Sequence, residues 1–297
     1  MRLSLLLSMI PFELERTICS KLNASFGRRP SSAPLLSGDT YRRLSTIAYD
    51  DSASPDASLV IRNSKLFVSA NRLREFLAEI FPRIDSPFIA ITHQGDLNIG
   101  EEFRAFADDP RVLHWFAQNC LLEHPKVTPL PIGLEDRWRH NNGEYRAFMR
   151  LLKNSPQIPA IGYSFSLTTN LERRLSCYKS LQRSAAGTEL PQPLNSQEYR
   201  RVAGRYMFIA SPPGNGLDCH RTWEALYMGC VPIVEDNYMN RSFLEHGLPI
   251  VLVREWNEVR EWDEGYLKAL YARLGGGTRP KALFSAFWGE SFAGYRA

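Results

Sequence analysis

The sequence predicts an α/β fold in two halves, on three observations. Short apolar runs that suit buried strands alternate with segments of helical spacing. Many of those runs stop at loops holding Gly, Pro, Asn or Asp, the residues that set turns. The alternation lapses at Lys153-Asn154-Ser155-Pro156 and resumes beyond it, which puts an interdomain passage near residue 155. A chain of 297 residues with 44% apolar and 23% charged side chains has material for one large core or two moderate ones. Global disorder is excluded on the same grounds.

The first 60 residues carry the least pattern. Arg2 precedes an apolar run over residues 3–10, but Pro11, Glu13 and Glu15 follow at once and no small-residue cleavage pattern appears. The run is too short to span a bilayer. Stretches 31–38 and 50–58, rich in Ser, Pro and Asp, read as loops. Arg28, Arg29, Arg42 and Arg43 read either as contacts for an acidic partner or as loop anchors on a solvated face.

Order appears from Ser64. A strand is expected over 66–69 and a helix over 71–81, with Leu73, Phe76, Leu77, Ile80 and Phe81 on one broad face and Pro82 as its end. A buried strand over 88–92 runs into His93-Gln94-Gly95-Asp96, and a helix near 101–107 follows. In α/β domains ligands gather beyond the carboxyl ends of strands, so His93 and Asp96 are the candidate general bases. The bland alternatives are a histidine that closes the strand by hydrogen bonds and an aspartate that begins the turn. Strands are expected over 112–116 and 126–130; the second enters Pro131-Ile132-Gly133-Leu134-Glu135-Asp136, where Glu135 and Asp136 are rival carboxylates. His140 alone makes no metal site, and no spacing in the chain does.

A polar or helical segment over 142–152 leads into the passage, and the second half opens with a strand from 158 and a helix over 172–181 with Arg173 near its start. Residues 187–195 read as a Pro-containing connector and 196–202 as a short helix. The most informative stretch follows: RYMFIASPPGNGLDCHRTWEALYMGCVPIV, residues 205–234. Residues 206–210 suit a buried strand, and the loop 211–216 combines two prolines with two glycines. Asp218 is a candidate cap for a helix reaching Met228; Gly229 is its stop, and residues 231–234 form the next strand. Free N–H groups behind such a loop favour an anion. Arg221 supplies a cation in the first turn and Glu224, three residues on, a carboxylate suited to hydroxyl groups. The alternative is an Arg221–Glu224 pair on a helix that only packs. A strand over 248–253, helical material over 256–271 and a terminal helix over 281–288 complete the chain. Trp256, Trp262, Phe284, Phe287 and Trp288 read as core residues.

Charge and cysteine usage narrow the classes. A net charge of +4 fits an anionic ligand, but neither it nor the aromatic spacing points to nucleic acid. Cys19, Cys120, Cys177, Cys219 and Cys230 are odd in number and scattered, which fits a reducing compartment rather than a disulfide framework. The expectation is a soluble cytoplasmic protein without a transmembrane span, with a luminal site the lesser alternative.

The ordered combination Ser211-Pro212-Pro213-Gly214-Asn215-Gly216-Leu217-Asp218-Cys219-His220-Arg221-Thr222-Trp223-Glu224-Ala225-Leu226, then Gly229-Cys230-Val231-Pro232-Ile233-Val234, resembles compact bacterial and viral glycosyltransferases of the exostosin-like group. Supporting similarity lies at 92–96, 115–119, 131–134 and 169–173, so the resemblance covers roughly residues 64–256. It implies a GT-B-like fold of two facing Rossmann-like domains. Residues 1–155 would be the acceptor-side domain and 156–280 the nucleotide-sugar domain, with a helix in 281–297 packing back on the first. It further implies that Arg221, Arg173 and the loop residues Gly214, Asn215, Gly216 and Asp218 hold the donor diphosphate, and that Glu224 contacts ribose or donor hydroxyls. Neither a metal nor any cofactor beyond the donor, UDP- or GDP-linked, would be required. Where many relatives carry Arg in the loop this chain has Pro213, a loss that Arg205 or Arg173 would have to make good. The implied partners are a nucleotide-sugar donor, a glycan or polysaccharide acceptor and other glycosyltransferases. The alternative is a noncatalytic glycan-binding or scaffolding protein with a degenerate donor site.

Overall fold

A computed structural model of the chain describes residues 29–137 and 144–295. Expectations attached to residues 3–10, Cys19, Arg28 and His140 lie outside the described residues. Helix α1 (Gly38–Leu44) leads to strands β1 (Ile47–Tyr49) and β2 (Ser64–Ser69), helix α2 (Leu73–Glu79), β3 (Phe88–His93), helix α3 (Arg104–Asp108), β4 (Val112–Ala117) and β5 (Val127–Pro129). The five strands form one parallel sheet in the order β1-β2-β3-β4-β5. Both faces are buried, as parallel sheets require. Ile89 and Ile91 on β3 join one core cluster, and the alternating Phe88 and Ala90 join the other.

Helix α4 (Tyr145–Leu151) follows, and the second half contains β6 (Ile158–Tyr163), α5 (Leu171–Gln182), β7 (Gly187–Glu189), α6 (Ser196–Ala203), β8 (Tyr206–Ala210), α7 (His220–Met228), β9 (Val231–Glu235), α8 (Tyr238–Glu245), β10 (Val251–Val253), α9 (Glu264–Arg273) and α10 (Ser285–Gly294). Its strands form a second all-parallel sheet in the order β10-β9-β8-β6-β7. Chain direction across the sheet reverses between β6 and β8, the switch point at which such sheets leave a crevice for ligand. Two parallel Rossmann-like sheets in succession make a GT-B-like α/β architecture.

Between the loop stretches 31–38 and 50–58, where no element was assigned, lie α1 and β1; Ser37 accepts from the Thr40 N–H and caps α1. Two expectations need correction. Residues 187–195, read as a connector, begin with edge strand β7, whose Gly187 pairs with Ile161. A side chain at Gly187 would meet the Leu181 carbonyl at 2.2 Å, so glycine is required there. Asp218 does not cap α7: the N-cap position is Cys219, without a side-chain bond. At the other end Gly229 stops the helix with φ +85°, as glycine alone does cheaply.

One core cluster runs across both halves, from Phe67, Ile89 and Phe116 through Trp223 and Tyr227 to Trp288 and Phe292. The Tyr227 hydroxyl accepts from the Leu36 N–H and donates to the Leu283 carbonyl, each at 2.9 Å. Phe292 on α10 lies 4.6 Å from Phe116, and Tyr295 stacks on His114 at 3.7 Å. Among the described residues no helix is long and apolar enough to cross a membrane.

Candidate functional site

The carboxyl ends of the two sheets face each other across the loop that opens α7. Three hydrogen bonds fix the approach. Asn119 Oδ1 accepts from the Asp218 N–H at 2.9 Å, Asp218 Oδ2 accepts from the Ile132 N–H at 2.8 Å, and His220 Nδ1 contacts the Gly133 carbonyl at 2.8 Å. Gly216 lies so close to Asn119 that a Cβ there would meet its amide at 2.7 Å. Asn119 and Gln94, at the ends of β4 and β3, both hold positive φ, a strained arrangement that clusters at functional sites.

On the second-domain side is a cleft of about 340 Å³, lined among others by Ser164, Tyr199, His220, Arg221 and Glu224. Glu224 is only 7% exposed, and no donor among the described residues bonds its carboxylate. Burial raises its pKa, opposed by the nearby His220, Arg221 and Arg200. A carboxylate in that condition has acceptor capacity to spare and lacks donors. The Tyr199 hydroxyl in the same wall likewise has no hydrogen bond among the described residues.

Arg221 forms no ion pair among the described residues; its guanidinium reaches Cys219 Sγ at 3.8 Å and lies 5.5 Å from the Phe165 ring. The expected alternative, Arg221 bonded to Glu224, is not what forms. Beside it stands Arg174, 5% exposed, which the sequence reading passed over. Its Nε donates to the Pro213 carbonyl at 2.9 Å and its Nη1 to the Ser166 carbonyl at 2.6 Å, with Nη2 turned toward Gly214. Burial, then the charge of Arg221, lowers its pKa. Two guanidiniums without carboxylate partners at a Gly-containing turn favour an anion. The signal was present: Arg174, Cys177 and Leu181 are spaced i, i+3, i+7 and share the buried face of α5.

Other sequence candidates fall elsewhere. Arg173 points away from Arg174 and pairs with Glu235 at 2.6 Å. Arg205 precedes β8, at the amino end of that strand, roughly 20 Å of extended chain from Ser211 and so remote from the cleft. Asp218 is 4% exposed and saturated by the Ile132 N–H and Trp223 Nε1, both at 2.8 Å; it clamps the two halves rather than holding a ligand. Burial raises its pKa to about 6. Gly214 and Gly216 shape the turn through a backbone bond between them, the Gly214 N–H donating to the Gly216 carbonyl at 3.0 Å. Asn215 is the exposed residue between the two.

On the first-domain side lies a smaller cavity of about 150 Å³, with His93, Asp96, Glu135, Asp136 and His220 in its wall. His93 is 2% exposed and both ring nitrogens are engaged: Nε2 donates to the Pro131 carbonyl at 3.1 Å, and Nδ1 accepts from the Gln94 N–H at 2.7 Å. Burial brings its pKa down to about 4. It presents no lone pair to the cavity, so the strand-closing alternative fits it and the general-base assignment does not. Asp96 is exposed on the rim. Asp136 accepts from the Asp39 N–H and Gln94 Nε2 at 2.7 and 2.8 Å. Asp39, unnoticed in the sequence, is fully buried with its pKa raised to about 7 by burial and by Asp136. Arg29 and Arg42 both reach Asp50, the loop-anchor alternative. Among the described residues no group of three His, Cys, Asp or Glu is placed to hold a metal ion.

No family model and no curated protein matches the chain. Among solved structures it is similar to the spinosyn rhamnosyltransferase SpnG complexed with spinosyn aglycone, at 12% identity over 78% of this chain and 70% of that one, with a TM-score of 0.34. The same enzyme complexed with thymidine diphosphate matches at 11% identity over the same shares, with the same score. A likeness this distant carries no argument; the class, a two-domain α/β protein of GT-B-like fold, rests on the strand topology above.

Proposed function

We propose that the protein is a nucleotide-sugar-dependent glycosyltransferase of the exostosin-like kind, moving a sugar from a UDP- or GDP-linked donor to a glycan or polysaccharide acceptor by an inverting displacement. In this reading the donor diphosphate sits against the turn that opens α7, between Arg221 and Arg174. Glu224 accepts hydrogen bonds from ribose or sugar hydroxyls. The nucleobase lies in the adjoining cavity of about 350 Å³ walled by Tyr163, Phe165 and Tyr178. The acceptor enters from the first-domain cavity. Arg174 takes over the charge that Pro213 removes from the loop, which speaks against a degenerate donor site.

The observation that carries the reading is the cleft itself: at a switch point, a buried carboxylate stands beside two guanidiniums, and among the described residues none of the three has a partner of the opposite kind. Growing charge on a departing diphosphate is what fixed cations and backbone N–H groups stabilise best. A screen of UDP-, GDP-, dTDP- and CMP-linked sugars against mixed acceptors, read by product mass, tests it. At least one donor gives a product heavier by one sugar, and a Glu224→Gln variant gives little. Absence of product from every donor, together with absence of nucleotide binding, would leave a glycan-binding protein instead.

A further inference from the structure

We propose that His220 is the general base of this transfer, an assignment that rests on the glycosyltransferase reading. Among the described residues His220 alone lines both the donor cleft and the first-domain cavity. It therefore stands where an acceptor hydroxyl from one would meet an anomeric carbon from the other. Its tautomer is fixed by geometry: the Gly133 carbonyl only accepts, so Nδ1 carries the proton at 2.8 Å. Nε2 then keeps its lone pair, and no donor among the described residues occupies it. An imidazole oriented through one nitrogen with the other free is the arrangement a base needs.

The rivals around the cavity are less suited. His93 has both nitrogens engaged, and Asp136 already accepts from the Asp39 N–H and Gln94. Asp96 is exposed on the rim and absent from the donor cleft. Gly133, which orients His220, has φ +69°, and a Cβ there would strike the Leu36 carbonyl at 2.4 Å; only glycine supplies that acceptor in that place.

The step balances without another reactant. The acceptor oxygen forms a bond to the anomeric carbon while its proton passes to His220 Nε2. The bond from that carbon to the diphosphate oxygen breaks, and its electron pair leaves with the nucleoside diphosphate. His220 returns the proton to solvent before the next turnover.

The test uses the full chain and the donor that gives product in the sugar screen, with UDP and GDP as binding probes. His220→Asn keeps a side-chain N–H for the Gly133 carbonyl and removes Nε2. It is expected to bind the preferred nucleotide within about twofold of wild type while transfer falls by roughly 10²–10⁴-fold. His220→Gly, with free imidazole added, serves as the second variant and is expected to regain part of the rate. Transfer by H220N within about threefold of wild type, or a large loss in Asp96→Asn with H220N unaffected, would overturn the assignment while leaving the glycosyltransferase reading intact. If wild type neither binds UDP or GDP nor transfers from any donor, that reading fails and the assignment goes with it.

Discussion

Glu224 and Arg174 set the local physics of the cleft. A buried carboxylate that no donor bonds is costly, and a ligand hydroxyl that supplies the hydrogen bond recovers the loss. Glu224→Gln keeps the shape and removes the charge, so donor KM is expected to rise roughly 10–100-fold, the range for a charge-assisted bond of about 1.5–3 kcal/mol; steady-state kinetics checks it. Arg174→Ala removes both a cation and the two bonds that hold the 211–216 loop, whereas Arg173→Ala breaks only the partly exposed pair with Glu235. Donor affinity, read by calorimetry, should therefore fall at least tenfold in the first and less than about threefold in the second. Neighbouring arginines on one helix point roughly 100° apart. The choice between 173 and 174 was legible only in the buried spacing with Cys177 and Leu181, and a buried arginine disguises that spacing as polar.

At the scale of elements, the unit β8, loop, α7, β9 was readable because its determinants are local: an apolar run, prolines and glycines, and a glycine stop. The beginning of α7 was not, because the Asp218 carboxylate is taken by a backbone group 86 positions away in sequence and by Trp223. Asp218→Ala leaves those two donors without their acceptor and should lower stability by roughly 2–6 kcal/mol, at about 1–3 for each orphaned group. Urea unfolding followed by tryptophan fluorescence would register this as a lower midpoint with an unchanged slope. Edge strand β7 and the pair α1 and β1 escaped notice for a related reason. Three-residue strands hold too few apolar positions to show a period, and their partners lie on distant segments.

Across the whole molecule, the shared core and the contacts of α10 tie the two halves together. His114 is one such tie, buried under Tyr295, with its pKa brought down to about 4 chiefly by burial. A neutral histidine with a folded pKa below its unfolded value contributes stability above about pH 6.5 that is lost as pH falls toward 4, roughly 3 kcal/mol over that window. Denaturant titrations at stepped pH should show His114→Gln losing less stability than wild type between those values. The sequence conveyed the two α/β halves and the cleft-facing turn, since alternation and loop chemistry are written locally. Which histidine faces the cleft depends on how two sheets meet, so His93 stood out by its strand end while His220 remained unassigned within its motif. The most direct test of the central claim is calorimetric titration of UDP and GDP into wild type and Arg221→Ala. One nucleotide should bind wild type saturably at one site and the variant at least tenfold more weakly. Failure of both to bind wild type, or equal affinity in the two proteins, would contradict a diphosphate seat at the opening of α7.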